Sequence, residues 1–186
     1  MGSASKDARK AVEWYRCAAE AGIPDAQFNL GLCYGFGKGV EQDARAAAKW
    51  FRRAAEAGNA DAQLNLGTCY YEGTGVEKDA RAAFGWYRLA AEAGKSMAQF
   101  ALGTSFQFGE GVEMDARVAV IWYRRAAEAG HVGAYYDLGR CYELGIGVDA
   151  SMRDAIEWYR RAAGAAGDPP GAPQARAALK CLGAAP

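Results

Sequence analysis

Tryptophan returns every 36 residues along this chain. Three further features keep the same step: a Leu-Gly pair, an aromatic residue three positions after that glycine, and a loop ending in GxGV. A constant period of this length predicts a stack of similar supersecondary units, because a single unit cannot bury its apolar face alone. The recurring positions are Trp14, Trp50, Trp86, Trp122 and Trp158; Leu30, Leu66, Leu102 and Leu138, each followed by glycine; Tyr34, Tyr70, Phe106 and Tyr142; and Val40, Val76, Val112 and Val148.

Each unit reads as two helices joined by glycine-rich turns. Residues 43–57 (DARAAAKWFRRAAEA) lack Pro and Gly and carry apolar residues at helical spacing, with Asp43 placed as an N-cap. Gly58 follows as a left-handed stop, and residues 61–71 (DAQLNLGTCYY) predict a second helix closed by Gly73. We call the second kind the type A helix and the first kind the type B helix. No segment alternates as a strand would, so we predict an all-α fold.

The predicted architecture is a right-handed α/α superhelical solenoid of about five stacked 36-residue helical hairpins. We predict a single repeat domain over residues 1–186. It begins with a type B half-repeat at 7–22 and ends, over 167–186, with a loop and a degenerate type A helix at 174–183 that caps the stack. The full repeats between them are predicted at 23–58, 59–94, 95–130 and 131–166.

Gly31 and its copies lie inside a predicted helix, where glycine costs about 1 kcal/mol relative to alanine. Close packing between helices is the physical reason for keeping them. We expect Gly31 to face small residues of the type B helices, such as Ala18 and Ala54, with Trp and Tyr filling the gaps between hairpins.

The pattern AQxNLGxCYxxGxGV, as it stands at residues 26–40, closely resembles the Sel-one-like repeat family, a branch of the tetratricopeptide-like helical solenoids. The resemblance extends over about residues 7–166. It implies an interaction scaffold that binds protein or peptide partners and performs no chemistry itself. It also implies that type A helices line the concave surface and type B helices the convex one.

Composition restricts the partners further. Lys plus Arg and Asp plus Glu number 22 each, so no overall field attracts a polyanion, and we expect no nucleic-acid partner. Because no apolar run approaches the roughly 20 residues of a membrane helix, we expect no membrane insertion. The N-terminus lacks the apolar segment of a secretory signal, and a cytoplasmic location is the expectation.

One branch of the resembled family, cysteine-rich and secreted, is associated with penicillin binding and β-lactam hydrolysis. That branch pairs two cysteines in each repeat, whereas Cys33, Cys69 and Cys141 share one position here, which Ser105 occupies in the remaining repeat. Reduced, structural thiols are therefore expected, with Cys17 and Cys181 as unpaired extras. The Ser-x-x-Lys at residues 3–6 is interpreted as chance, because no Ser-Asp-Asn or Lys-Thr-Gly completes such a site.

Other chemistry-bearing residues are interpreted as scaffold. His131 occupies a loop position where other repeats have Ile23, Asn59 or Lys95, so we read it as loop filler. The GxGV loops join two helices, which is the wrong context for a phosphate cradle. In the arginine series of the type B helices, four of the five members have a glutamate four residues later, at the spacing of a helical ion pair: Arg16, Arg52, Arg88 and Arg124 with Glu20, Glu56, Glu92 and Glu128. We predict no catalytic residue, no metal site and no cofactor.

Binding specificity is expected at type A positions that vary between repeats. This surface mixes apolar anchors with amides and carboxylates, which suits an extended peptide or a partner helix. Packing between repeats is the alternative explanation for its large apolar members, and a β-lactam hydrolase or an oligomerising spacer with end-to-end self-association are the alternative functions. The candidate residues, called here the type A face, are Phe28, Asn29, Leu32, Phe36, Leu64, Asn65, Thr68, Tyr71, Glu72, Phe100, Thr104, Gln107, Phe108, Tyr136, Asp137, Arg140 and Glu143.

Overall fold

The computed structural model describes residues 3–167 and 169–184, with side chains from residue 6 onward. Over these residues it contains ten α-helices and no strand, as the 36-residue period predicts. Residues 1, 2, 185 and 186 of the predicted domain, and residue 168 of its predicted loop, lie outside the described residues. The helices are α1 (Ser3–Glu20), α2 (Pro24–Phe36), α3 (Ala44–Glu56), α4 (Ala60–Glu72), α5 (Ala80–Glu92), α6 (Ser96–Phe108), α7 (Ala116–Glu128), α8 (Val132–Leu144), α9 (Met152–Ala163) and α10 (Ala172–Cys181).

Type A and type B helices alternate as predicted: α2, α4, α6 and α8 are type A, and α1, α3, α5, α7 and α9 are type B. The Asp43 N-cap is confirmed, because its carboxylate accepts the Ala46 amide at 3.0 Å. Gly58 and Gly73 adopt φ of +88° and +79°, as their predicted role as helix stops requires. Gly75, in the GxGV loop, also has positive φ, and a side chain there would collide with the Ala44 carbonyl of the preceding type B helix.

The chain forms two compact units, Met1–Lys95 and Ser96–Pro186. In the first unit, α1 to α5 pack in chain order, each helix against the next. In the second unit, α6 to α10 do the same, and α10 also contacts α8. In both units the core is built from alanines of the type B helices and the recurring leucine of the type A helices, whose copies Leu30, Leu66, Leu102 and Leu138 are 0% exposed.

The glycine of each type A helix faces an aromatic ring. A Cβ added to Gly31 would lie 2.7 Å from the Phe51 ring, and one added to Gly67 would lie 2.7 Å from Tyr87. The same ring position is filled by Tyr123 opposite Gly103 and by Tyr159 opposite Gly139, with equal or closer approach. The expectation of close packing is confirmed, but the expected alanine partners are wrong. Because the type A helix and the following type B helix run antiparallel, the glycine lies opposite the residue that follows tryptophan. Ala54 packs one turn further along α3.

Both ends of the helical array differ from the sequence prediction. Helix α1 begins at Ser3 rather than near residue 7. Helix α10 spans Ala172–Cys181 rather than 174–183, because proline is tolerated in the first turn, where its missing N–H needs no partner. Its residues Ala175 and Leu179 are fully buried in the same core cluster as Tyr159, so α10 packs against α9.

The predicted Arg–Glu pairing is not the interaction that the structure shows. Arg16 donates a hydrogen bond to the Tyr34 hydroxyl at 3.2 Å, and Arg124 donates to the Tyr142 hydroxyl at 2.9 Å. Arg52 makes the equivalent bond to Tyr70. The hydroxyl of a packed tyrosine ring is already fixed in place. An exposed ion pair between two flexible side chains, by contrast, contributes little to stability. In these three repeats, the arginine therefore joins the type B helix to the type A helix that follows it.

The cysteines are free thiols, as expected. Cys33, Cys69 and Cys141 are buried, while Cys17 and Cys181 are exposed. Burial raises the pKa of Cys141 to about 11, so this thiol is inert at neutral pH. Within the described ranges, no helix combines the length and apolar character needed to cross a bilayer.

Candidate partner-binding surface

The residues of the type A face divide by exposure. Phe36, Phe108 and Tyr71 are 79%, 63% and 39% exposed, and they stand at the C-terminal ends of their helices together with the exposed Glu72. The remaining members are half-buried. Leu144, which ends α8, is 58% exposed in the corresponding position. Both units thus present large apolar side chains to solvent at the end of type A helices.

The large residues in the middle of the face are packed rather than free. The Phe28 ring lies 5.9 Å from that of Phe51, and the Phe100 ring lies 5.6 Å from that of Tyr123. Tyr136 is arranged in the same way, 5.8 Å from Tyr159. These side chains cover the aromatic residue opposite the glycine, and only part of each remains accessible.

Three tyrosines of the type B helices, none of them among the predicted site residues, reach this face. Each ring passes the glycine of the neighbouring type A helix, and its hydroxyl bonds to residues of the type A face. Tyr123 donates to Gln107 Oε1 at 2.6 Å, and Tyr159 donates to Glu143 Oε2 at 2.5 Å. Tyr87 makes a longer contact, 3.4 Å, with Thr68 Oγ1. The sequence signal was the glycine itself, whose missing side chain is the opening that each ring fills.

Burial raises the pKa of Tyr123, an effect that the Thr104 hydroxyl partly offsets. Burial also raises the pKa of Tyr159, and the hydrogen bond to Glu143 raises it further. Both phenols therefore stay protonated at neutral pH. They hold the side chains of Gln107 and Glu143 in fixed positions on the face.

The asparagines of the face are also held in place. Asn29 and Asn65 each donate an amide N–H to the carbonyl four residues earlier, at 2.8 Å. The third repeat has Ala101 at this position, and the fourth has Asp137. Burial raises the pKa of Asp137, and the positive charge of Arg140 partly offsets the effect. An ionised carboxylate cannot donate the bond that asparagine makes here.

We therefore expect Asp137→Asn to raise the free energy of unfolding at pH 7 by about 1 kcal/mol, because the amide gains the bond to the carbonyl of Gly133 and loses the buried charge. The folded-state pKa of Asp137 lies above its unfolded value, so the wild-type chain gains stability as pH falls through the folded pKa. The difference in free energy of unfolding between the variant and the wild-type chain should therefore shrink as the pH falls. Urea unfolding of both proteins at neutral and acidic pH measures this difference.

Asn65→Asp is the matched reverse substitution, and it should lower stability at neutral pH. An Asp137→Asn variant that is less stable than wild type at pH 7 would contradict this explanation. So would an advantage that does not change with pH.

His131 is not loop filler. Its imidazole stacks on Phe100 with ring centroids 4.5 Å apart, and burial lowers its pKa, so it is neutral at pH 7. Two equivalent residues also bond to an earlier type A helix: Asn59 donates to Asp25 Oδ1 at 2.8 Å, and Lys95 pairs with Asp61 at 2.7 Å. The sequence analysis missed these contacts because the three residues use different chemistry.

Other expected features lie outside the type A face. The backbone of residues 3–6 forms the first turn of α1, and the side chain of Ser3 lies outside the described residues. In the part of the chain that the structure describes, no group of three or more His, Cys, Asp or Glu side chains is arranged to hold a metal ion.

Comparison with known proteins gives consistent results. The family model described as the Sel1 repeat matches five consecutive segments, residues 1–23, 24–59, 60–95, 96–131 and 132–165. No curated protein matches the chain significantly. A Sel1 repeat protein from Oxalobacter formigenes is similar in structure, with a TM-score of 0.82 and 36% identity over 94% of this chain and 67% of that protein.

Two further solved structures are similar. The protein c5321, a protective antigen present in uropathogenic Escherichia coli strains and displaying an SLR fold, is 38% identical with a TM-score of 0.81 over 83% of this chain. This chain spans only 33% of that antigen. Cysteine rich protein B of Helicobacter pylori is 24% identical with a TM-score of 0.55, over 69% of this chain and 92% of its own, and supports the fold alone. The predicted solenoid fold is thereby confirmed.

Proposed function

The chain belongs to the Sel1 repeat family, and we propose that it is a non-catalytic scaffold that binds a protein or peptide partner on its type A face. Sel1 repeat proteins generally mediate protein–protein interactions, and most are scaffolds without catalytic activity. We propose further that the half-repeat, the four full repeats and the C-terminal cap predicted from the sequence form a single repeat domain. The partner would occupy the concave surface that the family resemblance assigns to the type A helices.

The observation that carries this proposal is the exposure of large apolar side chains at the ends of type A helices. Phe36 and Tyr71 supply them in the first unit, and Phe108 and Leu144 supply them in the second. Exposed aromatic side chains beside ordered polar groups are typical of binding surfaces, because they bury much area at low conformational cost. These residues could anchor a partner by entering its apolar pockets.

The polar groups of the face define the chemistry of the partner. In the second unit, Gln107 and Glu143 are held by buried tyrosine hydroxyls, and Arg140 lies on the same helix as Glu143. Fixed amide, carboxylate and guanidinium groups recognise a polypeptide main chain and charged side chains of both signs. We therefore propose an extended or helical peptide segment as the ligand, with apolar side chains directed at Phe108 and Leu144.

The test is affinity capture from the native source, with Phe108→Ala and Arg140→Glu as variants of the face. Both should lose the captured partner while keeping the helical circular dichroism signal of the parent chain. Ile121→Ala and Arg117→Glu are matched controls, since both residues lie exposed on the type B helix α7. Face variants that retain the partner at the control level would overturn the assignment of this surface.

The alternative functions receive no specific support. Cys33, Cys69 and Cys141 repeat a single position, so they do not supply the paired cysteines of the β-lactam-hydrolysing branch. We expect a labelled β-lactam neither to acylate the chain nor to be turned over, and stable acylation would overturn the non-catalytic proposal. A strict monomer at high concentration would argue against an oligomerising spacer.

A further inference from the structure

His131 differs from an equivalent residue in the charge that faces it. In the first unit, Lys95 occupies the same position of the repeat and pairs with the carboxylate of Asp61 at 2.7 Å. The next repeat has Met97 where Asp61 stands, and Met97 is apolar and 58% exposed. At this position the chain therefore supplies a carboxylate for the lysine and not for its one histidine.

The imidazole of His131 is enclosed within the second unit. It stacks on the Phe100 ring of α6 with centroids 4.5 Å apart, and Phe100 in turn packs on Tyr123 at 5.6 Å. A Cβ added to Gly133 would lie 3.1 Å from His131 Cε1, so this glycine leaves room for the ring. His131 Nδ1 is buried and, among the described residues, has no hydrogen-bond partner. The stack on Phe100, rather than a polar bond, therefore holds the ring in place.

The helices packed around His131 supply no charge that favours its protonated form. Helix α6 has no acidic or basic residue. On α7, whose Ala126 carbonyl accepts the His131 N–H, the carboxylate nearest in sequence is Glu128, which is exposed. On α8 it is Asp137, whose charged neighbour is Arg140. Burial alone lowers the pKa of His131, with no contribution from a charged side chain. The remaining charged residues of α7 and α8 are Arg117, Arg124, Arg125 and Glu143.

The place of His131 in its helix adds to the cost of a positive charge. His131 is the N-cap residue of α8, and its side chain makes no cap hydrogen bond. The N-terminus of a helix carries a partial positive charge, so a cation there is unfavourable. Protonation would put a full charge on a half-buried ring, at a helix N-terminus, without a carboxylate beside it. All three circumstances favour release of the charged ring into solvent.

We propose that His131 is an acid-sensitive contact: its neutral imidazole holds the N-terminus of α8 against Phe100 of α6, and its protonation releases the ring and uncovers Phe100. Burial places the pKa of His131 below its unfolded value, so the neutral ring contributes stability above about pH 6.5 that is lost as the pH falls through the folded pKa. Phe100 belongs to the type A face, so acid would also change the surface offered to a partner. That consequence rests on the proposed function, whereas the acid-sensitive contact itself does not.

The first test is a proton NMR titration of the folded chain. Because the chain has one histidine, the imidazole Cε1–H resonance reports His131 alone. Its titration midpoint should lie below about pH 6.5, the ordinary value for histidine. Met97→Asp should raise the midpoint by at least about half a pH unit, since the new carboxylate stands where Asp61 pairs with Lys95. Met97→Asn is the matched neutral control and should leave the midpoint at the parent value.

The second test measures the packing itself, at about pH 7.5 and about pH 5. Nuclear Overhauser contacts between the His131 and Phe100 rings should be present at the higher pH and lost at the lower one. His131→Phe keeps an aromatic ring on Phe100 without a titratable group. In urea, the unfolding equilibrium constant of the parent chain relative to that of His131→Phe should rise at least about threefold between the two pH values. Relative to Met97→Asp it should rise in the same direction, and relative to Met97→Asn it should stay constant.

A parent titration midpoint at or above about pH 6.5 would overturn the proposal. So would ring contacts between His131 and Phe100 that persist at the lower pH, or equal midpoints for Met97→Asp and Met97→Asn. These measurements involve no partner, whereas the proposed function is tested by partner capture with Phe108→Ala and Arg140→Glu. The failure of this proposal and the failure of the proposed function are therefore distinguishable.

Discussion

Gly67→Ala is expected to lower the free energy of unfolding by about 2 kcal/mol, although alanine favours a helix over glycine by about 1 kcal/mol. The added Cβ would lie 2.7 Å from Cδ1 and Cε1 of Tyr87, closer than a non-bonded contact allows. The Tyr87 ring is 7% exposed and is held between α4 and α5, so it cannot move aside without separating the two helices. Overpacking should therefore outweigh the gain in helix propensity.

Gly85→Ala is the matched control in the same hairpin. Gly85 lies inside α5, and a Cβ added there meets no atom within 4 Å. This substitution should raise the free energy of unfolding by up to about 1 kcal/mol, because only the propensity effect remains. Urea unfolding of both variants, followed by circular dichroism, gives the comparison. Two alanine variants of equal stability would show that the glycine–ring contact is not tight.

Tyr123→Ala is expected to lower the free energy of unfolding by about 4 kcal/mol, since it removes a ring that is 1% exposed and leaves a cavity. Gly103→Ala alone should also destabilise the chain, because its Cβ collides with this ring. In the Tyr123→Ala background the same glycine substitution should be neutral or stabilising. The two substitutions are thus expected to be strongly non-additive.

A double-mutant cycle by urea unfolding measures this coupling. Tyr123→Leu replaces Tyr123→Ala if the alanine variant does not fold, and the coupling should persist with reduced size. Additive effects in both cycles would mean that Gly103 is kept for a reason other than the Tyr123 ring.

The local structure could be predicted well because its signals are local. Asp43 caps its helix through an amide three residues away, and Gly58 ends a hairpin through its own backbone angle. What could not be predicted is which residue faces which across two helices. The pattern of one helix does not fix its rotation against another, so the sequence indicated close packing at Gly31 and not its contact with Phe51.

The candidate surface was accessible to sequence reasoning only in part. Phe36 and Phe108 are exposed where the variable type A positions suggested a surface. The hydroxyls of Tyr123 and Tyr159 could not be placed there, because these residues belong to another helix and reach the face past a glycine. His131 was misjudged because its contact with Phe100 lies more than 30 positions away in sequence.

Partner binding to the type A face is tested most directly by the dissociation constant of the captured partner for Phe108→Ala/Arg140→Glu, compared with that for the control Ile121→Ala/Arg117→Glu. We predict at least about tenfold weaker binding for the face variant and parent-like binding for the control. Equal dissociation constants for the two variants, with both unfolding at the same urea concentration as the parent chain, would contradict it.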